Sequence, residues 1–431
     1  MKRRNFLKAA AVGAAGMASS LYFPRRGDDR KIRIGLIGAG WYGMVITTAA
    51  LRSGTVEVAG ICDVDSEHLS SAAAEIEKLQ GFRPKTFRHY QELIGLRGLE
   101  ALFIGTVPHW HALQFIAACE TGLDIYCEKP LSYDVMEGLA MVNAWKKAGN
   151  IVQIGFQRRQ SGAFMKAREL IGEGRIGDVH QIIAQIHYQP GIQDMKIQAP
   201  PPSLDWKEWC GPAPLLDYRP GIGHRSWRLE KEYGNGHLVD WGIHHIDIIR
   251  KIMDKRMPDA CHAAGGIFVL KDQVTTPDTL TASLEFAGLP VLWQHRLWGN
   301  GDVTGEFNNG IFFYGEKGSL LAEDERLVLF TAGKEVKRED ISIPSPLMQE
   351  NHVWNFLDAV RKKDRNLISC DPEDAFYSTA TVQLAMISYY TGTKVKWDNN
   401  KKEIIDNAEA SRLLQREYRG KYVHPWSGDS N

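Results

Sequence analysis

The 431-residue sequence is poor in cysteine, carries no excess of either charge and has no apolar run of membrane-spanning length after its first 30 residues. Its six cysteines form no C-x-x-C pair, which argues against a zinc site of that type and against a dense disulfide framework. Lysine plus arginine and aspartate plus glutamate both total 52, so no strong field attracts nucleic acid or an anionic membrane. We therefore expect small-molecule partners and no nucleic acid.

Residues 1–30 have the pattern of a twin-arginine export signal followed by a linker. Arg3 and Arg4 precede Phe6 and a weakly apolar stretch rich in alanine and glycine. The 15 residues from 9 to 23 are too few and too rich in glycine to span a membrane comfortably. We expect export by the twin-arginine machinery, a periplasmic location and no stable membrane span in the mature form. An amphipathic N-terminal helix or a membrane anchor is the alternative.

Residues 31–156 alternate short apolar runs with stretches of helical character. The runs are KIRIGLIG, VEVAGICD, ALFIGT, DIYCE and IVQIGF. Strands that are buried on both faces are almost continuously apolar, and alternation of strands with helices is typical of parallel sheets. We therefore predict an N-terminal α/β domain with a doubly wound parallel sheet over residues 31–156.

The rest of the chain is predicted to form a second domain over 157–395 and a C-terminal tail over 396–431 that packs on the body. Alternating runs between residues 260 and 330 indicate antiparallel strands of a broad, open sheet, and helices follow near the C-terminus. Residues 189–236 lack periodicity but are rich in tryptophan and tyrosine, so we expect an ordered, packed segment there.

A G-x-G-x-x-G motif, formed by Gly38, Gly40 and Gly43, directly follows the first predicted strand and opens a helix. Gly38 permits a tight turn, Gly40 lets the backbone approach a pyrophosphate, and Gly43 allows close packing of helix on sheet. Asp63 ends the second strand, where a carboxylate would accept hydrogen bonds from ribose hydroxyls and repel a 2′-phosphate. The motif therefore predicts a Rossmann domain that prefers NAD to NADP. A structural glycine turn beside an ordinary loop carboxylate is the alternative.

Other cofactor contacts are expected at the carboxyl ends of the strands, where ligands of open α/β sheets bind. The bond between Lys129 and Pro130 is a candidate for the cis form, and Lys129 is a candidate proton-transfer group. His111 could contact a ribose or could equally be a packed or helix-capping histidine. The predicted contacts are Trp41, Tyr42, Thr106, His109, His111, Glu128, Lys129 and Gln157.

A second group of polar residues lies in the segment GNGHLVDWGIHHIDIIRKIM. On an α-helix, Asp240, His244 and Asp247 would share one face, and His245 would point about 100° away. Histidine can shuttle a proton near neutral pH, and a neighbouring carboxylate can hold its tautomer. Acid-base catalysis is therefore predicted here. A metal site built from His237, Asp240 and His244, or a set of structural polar groups at a domain junction, are the alternatives.

With IGLIGAGWYG, YCEKPL and GHLVDWGIHHID in this order, the sequence resembles the glucose-fructose oxidoreductase, inositol dehydrogenase and MocA (Gfo/Idh/MocA) family from about residue 31 to the C-terminus. The resemblance implies an N-terminal Rossmann domain and a C-terminal α+β domain whose large, open, mostly antiparallel sheet often forms a homo-oligomer interface. It also implies a catalytic group of Lys129, Asp240 and His244. In that group His244 would accept a hydroxyl proton, Lys129 would polarise the oxygen, and Asp240 would orient both.

Substrate contacts are expected from the aromatic segment and from residues near the crevice. Tryptophans of this segment could stack on a pyranose face or could equally pack in its core, and arginines could bind hydroxyl groups. The predicted substrate contacts are Arg158, Arg225, Trp227, Arg228 and His245. No resident metal is predicted.

The resemblance implies hydride transfer between nicotinamide and a carbinol of a sugar, glycoside or polyol. Some similar exported proteins are NAD-dependent glycosidases, which oxidise a ring carbon, eliminate the aglycone and reduce the product with no net redox change. Twin-arginine export of folded cargo suits a protein that acquires NAD in the cytoplasm and keeps it tightly bound. A non-catalytic binding or scaffolding protein is the third hypothesis.

Overall fold

The computed structural model describes residues 30–191, 194–224 and 226–426. The predicted export signal with Arg3 and Arg4 lies outside this part of the chain, as does Arg225. All elements named below belong to one compact unit that begins at Lys31. Among the described residues, no helix combines the length and apolar character needed to cross a lipid bilayer.

The N-terminal half is built on a parallel sheet. Its strands are β1 (Ile32–Ile37), β2 (Val56–Cys62), β3 (Lys85–Phe87), β4 (Ala101–Ile104), β5 (Asp124–Glu128) and β6 (Val152–Gly155). The helices that connect them are α1 (Trp41–Arg52), α2 (Ser66–Gln80), α3 (Tyr90–Ile94), α4 (Pro108–Glu120) and α5 (Val135–Ala148). The spatial order β3-β2-β1-β4-β5-β6 is that of a Rossmann domain, which confirms the predicted fold of this half.

Local sequence explains where these elements begin and end. The apolar residues of β4 and the residues of β6 are buried along their whole length because helices cover both faces of the sheet. Asp65 caps α2 by accepting hydrogen bonds from the backbone N–H groups of Glu67 and His68. Gly38 and Gly40 lie in the turn between β1 and α1, and Gly43 lies in the first turn of α1, so the N-terminus of α1 points toward the carboxyl edge of the sheet.

The C-terminal half contains a second, larger sheet. Its strands are β7 (Val179–Ile186), β8 (Ala260–Gly266), β9 (Thr279–Phe286), β10 (Leu289–Arg296), β11 (Asn309–Gly315), β12 (Gly318–Ala322), β13 (Arg326–Thr331), β14 (Lys337–Ser342), β15 (Val395–Asp398) and β16 (Glu403–Ile404). They lie in the order β14-β13-β12-β11-β7-β10-β9-β8-β15-β16. Neighbouring strands are antiparallel except β7 and β10, which confirms the predicted mostly antiparallel sheet.

The C-terminal half also contains α-helices, some of which join the two sheets through one apolar cluster. They are α6 (Gly162–Gly172), α7 (Trp206–Cys210), α8 (Ile243–Met253), α9 (Met348–Lys362), α10 (Pro372–Thr391) and α11 (Ala408–Arg412). Helix α10 contacts α5 of the first sheet layer and β8 of the second sheet, and α9 packs on α1. The same apolar cluster contains Ile104 and Cys127 of the first sheet and Ile182 and Val291 of the second. The two halves are therefore fixed relative to each other.

The described part of the aromatic segment 189–236 packs around a small core of its own. Trp206 and Trp209 stack with ring centroids 4.7 Å apart, and Tyr233 lies edge-on to both. We call the residues 194–224 and 226–236 the roof segment, because they cover the carboxyl edge of the first sheet. The backbone N–H of Ser66 donates to the carbonyl of Ser203 at 2.9 Å, which ties this segment to the start of α2.

The glycine turn generates a prediction about stability. A Cβ at Gly43 would lie 1.8 Å from the Gly38 carbonyl oxygen, so Gly43→Ala must displace the turn. We expect a decrease of about 1–3 kcal/mol in the free energy of unfolding, measured by urea denaturation, because inserted methyl groups strain a packed site. Gly172→Ala is the matched control, since no atom lies within 4 Å of its Cβ position and the residue is helical. This control should be neutral or slightly stabilising. Equal stabilities of the two variants would contradict the assigned packing.

Candidate cofactor and active site

A cavity of about 420 Å³ follows the carboxyl ends of the first five strands of the Rossmann sheet. Its floor includes Gly38 after β1, Asp63 after β2, Thr106 after β4 and Lys129 after β5. The roof segment and the C-terminal tail cover it from the other side. Their lining residues are Glu208, Trp209, His224, Trp227, Arg228, Lys421 and Tyr422. The cavity therefore lies where open α/β sheets bind ligands.

The glycine turn has the geometry that a pyrophosphate requires. Gly38 adopts φ +87°, and a Cβ there would lie 2.8 Å from the Gly105 backbone. At Gly40, by contrast, the atom nearest to a Cβ position would be His68 Nδ1, at 3.8 Å, so the space beside its backbone is less crowded than at Gly38. Gly43 packs directly on the Gly38 carbonyl. The turn thus leaves backbone N–H groups at the start of α1 accessible to an anion.

Asp63 lies at the same end of the cavity and is held by two backbone donors. Its Oδ2 accepts from the Ala39 N–H at 2.7 Å and its Oδ1 from the Asp65 N–H at 2.9 Å. Burial raises the pKa of this carboxyl, although the two donors and the nearby His68 and His224 oppose the shift. Each oxygen retains a lone pair, so Asp63 can still accept a ribose hydroxyl.

Trp41, Tyr42 and Thr106 also line the cavity, whereas Gln157 acts through Tyr42. The Tyr42 hydroxyl donates to Gln349 Oε1 at 2.7 Å and accepts from Gln157 Nε2 at 2.6 Å. Gln157 is therefore behind the wall of the cavity, and it fixes the position of the Tyr42 ring.

The two histidines of α4 tie loops together and do not line the cavity. His111 lies 2.8 Å from the Pro130 carbonyl oxygen and 3.1 Å from that of Thr106. Burial lowers its pKa, so the neutral ring donates to one of these carbonyls and fastens the turn that carries Lys129. His109 Nε2 donates to the Trp209 carbonyl at 2.9 Å and thereby holds the roof segment. Both residues are fully buried, which agrees with the packing alternative for His111.

Lys129 and Asp240 form a buried ion pair in the cavity wall. Lys129 Nζ lies 2.9 Å from Asp240 Oδ1 and 2.7 Å from the Asp240 carbonyl oxygen, and the Lys129–Pro130 bond is cis. Arg228 Nε lies 3.1 Å from the other carboxylate oxygen. Burial alone would raise the pKa of the Asp240 carboxyl, but the Lys129 ammonium and the Arg228 guanidinium hold it below its usual value. Asp240 is therefore ionised and fixes the lysine.

His244 is buried one helical turn beyond Asp240. Burial lowers the pKa of its imidazole well below the usual value, and the charges of Lys129 and Arg158 lower it further. Its Nδ1 has no hydrogen-bond partner among the described residues, and its ring packs edge-on to Phe156 and Trp241. The imidazole is therefore neutral near pH 7, and His244 is not among the residues that line the cavity.

The helix that carries these residues departs from the predicted single α-helix. Residues Leu238–Gly242 form a π-helical turn, which is wider than an α-turn, before α8 begins at Ile243. Because the turn is wider, Asp247 does not lie on the same face as Asp240, although α-helical spacing predicted that it would. Asp247 instead pairs with Arg159, whose Nε lies 2.7 Å from its Oδ2, in a buried network that includes Asp374.

The other two histidines of this segment also turn away from the cavity. His245 is buried against Trp293 and does not line the cavity, where it was predicted to contact the substrate. His237 Nε2 donates to the Ile186 carbonyl at 3.2 Å. In the described part of the chain, His237, Asp240 and His244 do not bring three donor atoms within 4.8 Å of one another, so the alternative metal site is not formed there.

Of the predicted substrate contacts in the described residues, Trp227 and Arg228 line the cavity and Arg158 does not. The Arg228 guanidinium lies 4.5 Å from the centre of the Trp227 ring. Arg158 is buried, pairs with Asp324 at 3.2 Å and stacks on Trp241. Arg225 lies outside the described residues.

Several residues that line the cavity were not predicted from the sequence. They are His68, Arg88, Tyr90, Trp110, His224 and Tyr422. They come from loops, from the first turns of α2, α3 and α4, and from the tail, where no periodicity shows which side chain faces a ligand. For His68 a local pattern existed, because it follows a helix-capping aspartate, Asp65, by three residues and therefore lies in the first turn of α2.

The fold and the cavity define a two-domain α/β protein with a dinucleotide-binding Rossmann domain. Three profiles of one family match the chain: "Oxidoreductase family, NAD-binding Rossmann fold" over 32–156, "GFO/IDH/MocA C-terminal domain" over 164–321, and "Oxidoreductase family, C-terminal alpha/beta domain" over 315–424. The chain belongs to the glucose-fructose oxidoreductase, inositol dehydrogenase and MocA family.

Individual relatives are more distant. The chain is 27% identical over 237 residues to a 1,5-anhydro-D-fructose reductase of Ensifer adhaerens, which is 54% of this chain and 61% of that protein. It is 26% identical over 244 residues to a glycosyl hydrolase family 109 protein of Stenotrophomonas maltophilia, which is 53% of this chain and 50% of that protein. The matches thus span about half to three fifths of the relatives' lengths.

A solved levoglucosan dehydrogenase, in complex with NADH and levoglucosan, has a similar fold. The TM-score is 0.66 at 20% sequence identity, and the match covers 85% of this chain and 99% of that one. At this identity the likeness extends to the fold alone.

Glu128, the last residue of β5, is a buried acid in the cavity wall. Its side chain is almost wholly enclosed, and its Oε1 has no hydrogen-bond partner among the described residues. A Cβ at Gly155 would lie 2.5 Å from that oxygen, so only glycine leaves room for the carboxyl. Burial raises the pKa of Glu128 to about 8. The group is therefore mostly neutral at pH 7 and can donate a hydrogen bond.

This raised pKa predicts a pH-dependent stability. Between the unfolded value of about 4.3 and the folded value, the native state binds more protons, so stability falls as pH rises, by at most about 1.4 kcal/mol per pH unit. Glu128→Gln mimics the neutral acid and removes this loss. We expect its free energy of unfolding, relative to the parent protein, to increase steadily from pH 5 to pH 8 in urea titrations. Glu169→Gln, on the surface, should give a constant difference, and a parallel Glu128→Gln curve would refute the assignment.

Proposed function

We propose that the protein is an NAD-dependent oxidoreductase that exchanges a hydride with a carbinol carbon of a sugar, glycoside or polyol. The observation that carries this proposal is the Lys129–Asp240 ion pair in the wall of the same cavity as the glycine turn and Asp63. Membership of a family with an NAD-binding Rossmann profile supports the cofactor. The reductase and dehydrogenase relatives act, by their names, on carbohydrates, which supports the substrate class.

The side chains suit the chemistry of alcohol oxidation. When bound, NAD accepts or returns the hydride at the carbinol carbon. Lys129 places a fixed positive charge where a hydroxyl oxygen loses its proton, and Asp240 holds that charge in place. We assign the role of proton acceptor to His244, which lies one helical turn beyond Asp240 and is neutral because burial lowers its pKa. Trp227 and Arg228 offer an aromatic face and donors for sugar hydroxyls.

The enclosure of the cavity supports tight retention of the dinucleotide. The roof segment is fastened by the Arg88–Asp205 ion pair and by the Trp110 indole N–H, which donates to the Trp209 carbonyl at 3.1 Å. The tail adds the Tyr422 hydroxyl, which donates to Glu208 Oε2 at 2.9 Å. These contacts fix the roof segment over the cavity and would slow the release of a ligand as long as NAD.

The test of this function uses Lys129→Met, which keeps length and removes charge. We expect kcat for NADH formation with the best substrate of a sugar and polyol panel to fall by about 10²–10⁴-fold, the range for lost proton-transfer chemistry. Binding of NAD, followed by quenching of tryptophan fluorescence, should persist. Lys146→Met, an exposed lysine paired with Glu373, is the matched control and should keep full activity. Unchanged kcat in Lys129→Met would remove the proposed role.

A glycosidase that oxidises, eliminates and re-reduces is the second candidate. The match to a glycosyl hydrolase family 109 protein and the enclosed cavity favour it. In such a reaction the electrons return to the product, so a captive dinucleotide can support many turnovers.

The two candidates differ in their electron balance. If the second is right, purified protein without added NAD should release nitrophenol from a nitrophenyl glycoside for many turnovers with no stoichiometric change in NADH absorbance. Lys129→Met should abolish the release. Nitrophenol release that stops after one equivalent, or is absent while sugars reduce added NAD, would favour the simple dehydrogenase.

We also propose that the protein is exported by the twin-arginine route to the periplasm and forms a homo-oligomer through its open sheet. The Arg3–Arg4 pattern supports export. Ile183, Leu292 and Phe312 lie side by side on the outer face of that sheet and are only partly buried, which supports self-association. Cell fractionation and light scattering, respectively, test these proposals.

A further inference from the structure

A cluster of two histidines and one aspartate joins the roof segment to the rim of the cavity. Asp65, His68 and His224 bring one donor atom each to within 4.8 Å of one another. His224 Nε2 lies 2.9 Å from Asp65 Oδ2, and the two imidazole rings lie 4.2 Å apart. Nothing in the proposed hydride chemistry requires this arrangement.

The start of α2 and the roof segment position the three candidate ligand atoms of this cluster. Asp65 uses Oδ1 to cap α2, accepting from the N–H groups of Glu67 at 2.9 Å and His68 at 3.4 Å. This leaves Oδ2 directed at the histidines. His68 follows three residues later in the first turn of the same helix, and its ring nitrogens make no hydrogen bond to the described residues. The roof segment supplies His224.

The charges of the cluster favour a cation. Asp65 is almost fully buried, and its ion pairs in the described chain involve His224 alone. Two imidazole nitrogens and one carboxylate oxygen form a ligand set that Zn²⁺ accepts, with distances of about 2.0–2.2 Å. His68 is partly exposed, so a change of rotamer can bring its nitrogen inward.

A second cluster of similar composition provides the contrast. Asp134, Glu137 and His424 also bring donor atoms within 4.8 Å. There the Arg416 guanidinium lies 3.8 Å from Glu137 Oε1, and the Tyr418 hydroxyl donates to the same oxygen at 2.7 Å. A protein cation thus already occupies that cluster, whereas in the described residues no lysine or arginine pairs with Asp65.

We propose that Asp65, His68 and His224 bind one zinc-class divalent cation. The cation fastens the roof segment to the start of α2. His68 and His224 line the cavity, so an open fourth coordination position faces the end that Gly40 and Asp63 form. Three protein ligands with one open position leave room for water or for an oxygen of a bound ligand.

The experiment titrates full-length, tag-free, chelator-treated protein with Zn²⁺ by calorimetry and thermal denaturation. We expect one equivalent to bind and to raise Tm. Asp65→Asn keeps the helix cap, because asparagine caps as well as aspartate, but removes the charged ligand. His224→Gln keeps a hydrogen bond to Asp65. Each variant should weaken Zn²⁺ binding at least tenfold while its circular dichroism stays unchanged.

His424→Gln, in the second cluster, is the matched control and should bind Zn²⁺ as the parent does. Visible absorption of bound Co²⁺ should show a tetrahedral spectrum in the parent and the control, and should lose it in Asp65→Asn. Equal Zn²⁺ affinity in the parent, Asp65→Asn and His224→Gln would overturn the site, as would loss of binding in His424→Gln alone. These outcomes are independent of catalysis, since no activity is measured.

Discussion

A lysine ammonium enclosed at the junction of two sheets constrains much of this structure. The Lys129 side chain is 14% exposed and that of Asp240 is 6% exposed, so neither charge can be left without its partner. The first comes from the end of a Rossmann strand and the second from a helix packed on the other sheet. Their contact requires the two halves to share one core, which α10 and the apolar cluster around it provide. Removal of one charge would leave the other buried, and this asymmetry makes the pair a strong determinant of the domain arrangement.

The roof segment adds a second constraint, because it closes the cavity with its own core of stacked aromatic rings. It contributes Arg228 to the ion pair, and Trp227 and Trp209 to the cavity wall. His109 and Trp110 of α4 hold it by hydrogen bonds to its carbonyl groups, and Gly211 is in close contact with the Trp110 ring. The segment therefore forms a wall of the cavity, and its contacts with α4 fix the position of that wall. A loop without this core could not hold a guanidinium at a fixed distance from Asp240.

Sequence patterns predicted the parts of the fold that follow from periodicity. The apolar strands, the glycine turn and the antiparallel runs were readable because burial on one or two faces leaves a repeat in the chain. The π-helical turn was not readable, since one extra residue per turn leaves no mark in the apolar pattern around Asp240. Its effect was large, because Asp247 moved into the Arg159 network. His111 and Gln157 were predicted as cofactor contacts, but neither lines the cavity, because His111 binds the Pro130 and Thr106 carbonyls and Gln157 binds the Tyr42 hydroxyl. The roof contacts of His224 and Tyr422 join residues far apart in sequence, which no local pattern encodes.

The protonation states of the groups in the cavity wall leave an excess of positive charge beside the Lys129–Asp240 ion pair. His244 and, at neutral pH, most of Glu128 are uncharged because burial opposes their ionised forms. Asp240 stays ionised between Lys129 and Arg228. The wall beside the ion pair therefore carries more positive than negative charge, in an enclosed environment where electrostatic interactions are strong. Such a wall is poorly suited to bind a cationic substrate and well suited to stabilise an alkoxide that forms from a neutral hydroxyl. The charge of the ion pair therefore matches the proposed reaction, in which a hydroxyl oxygen loses its proton.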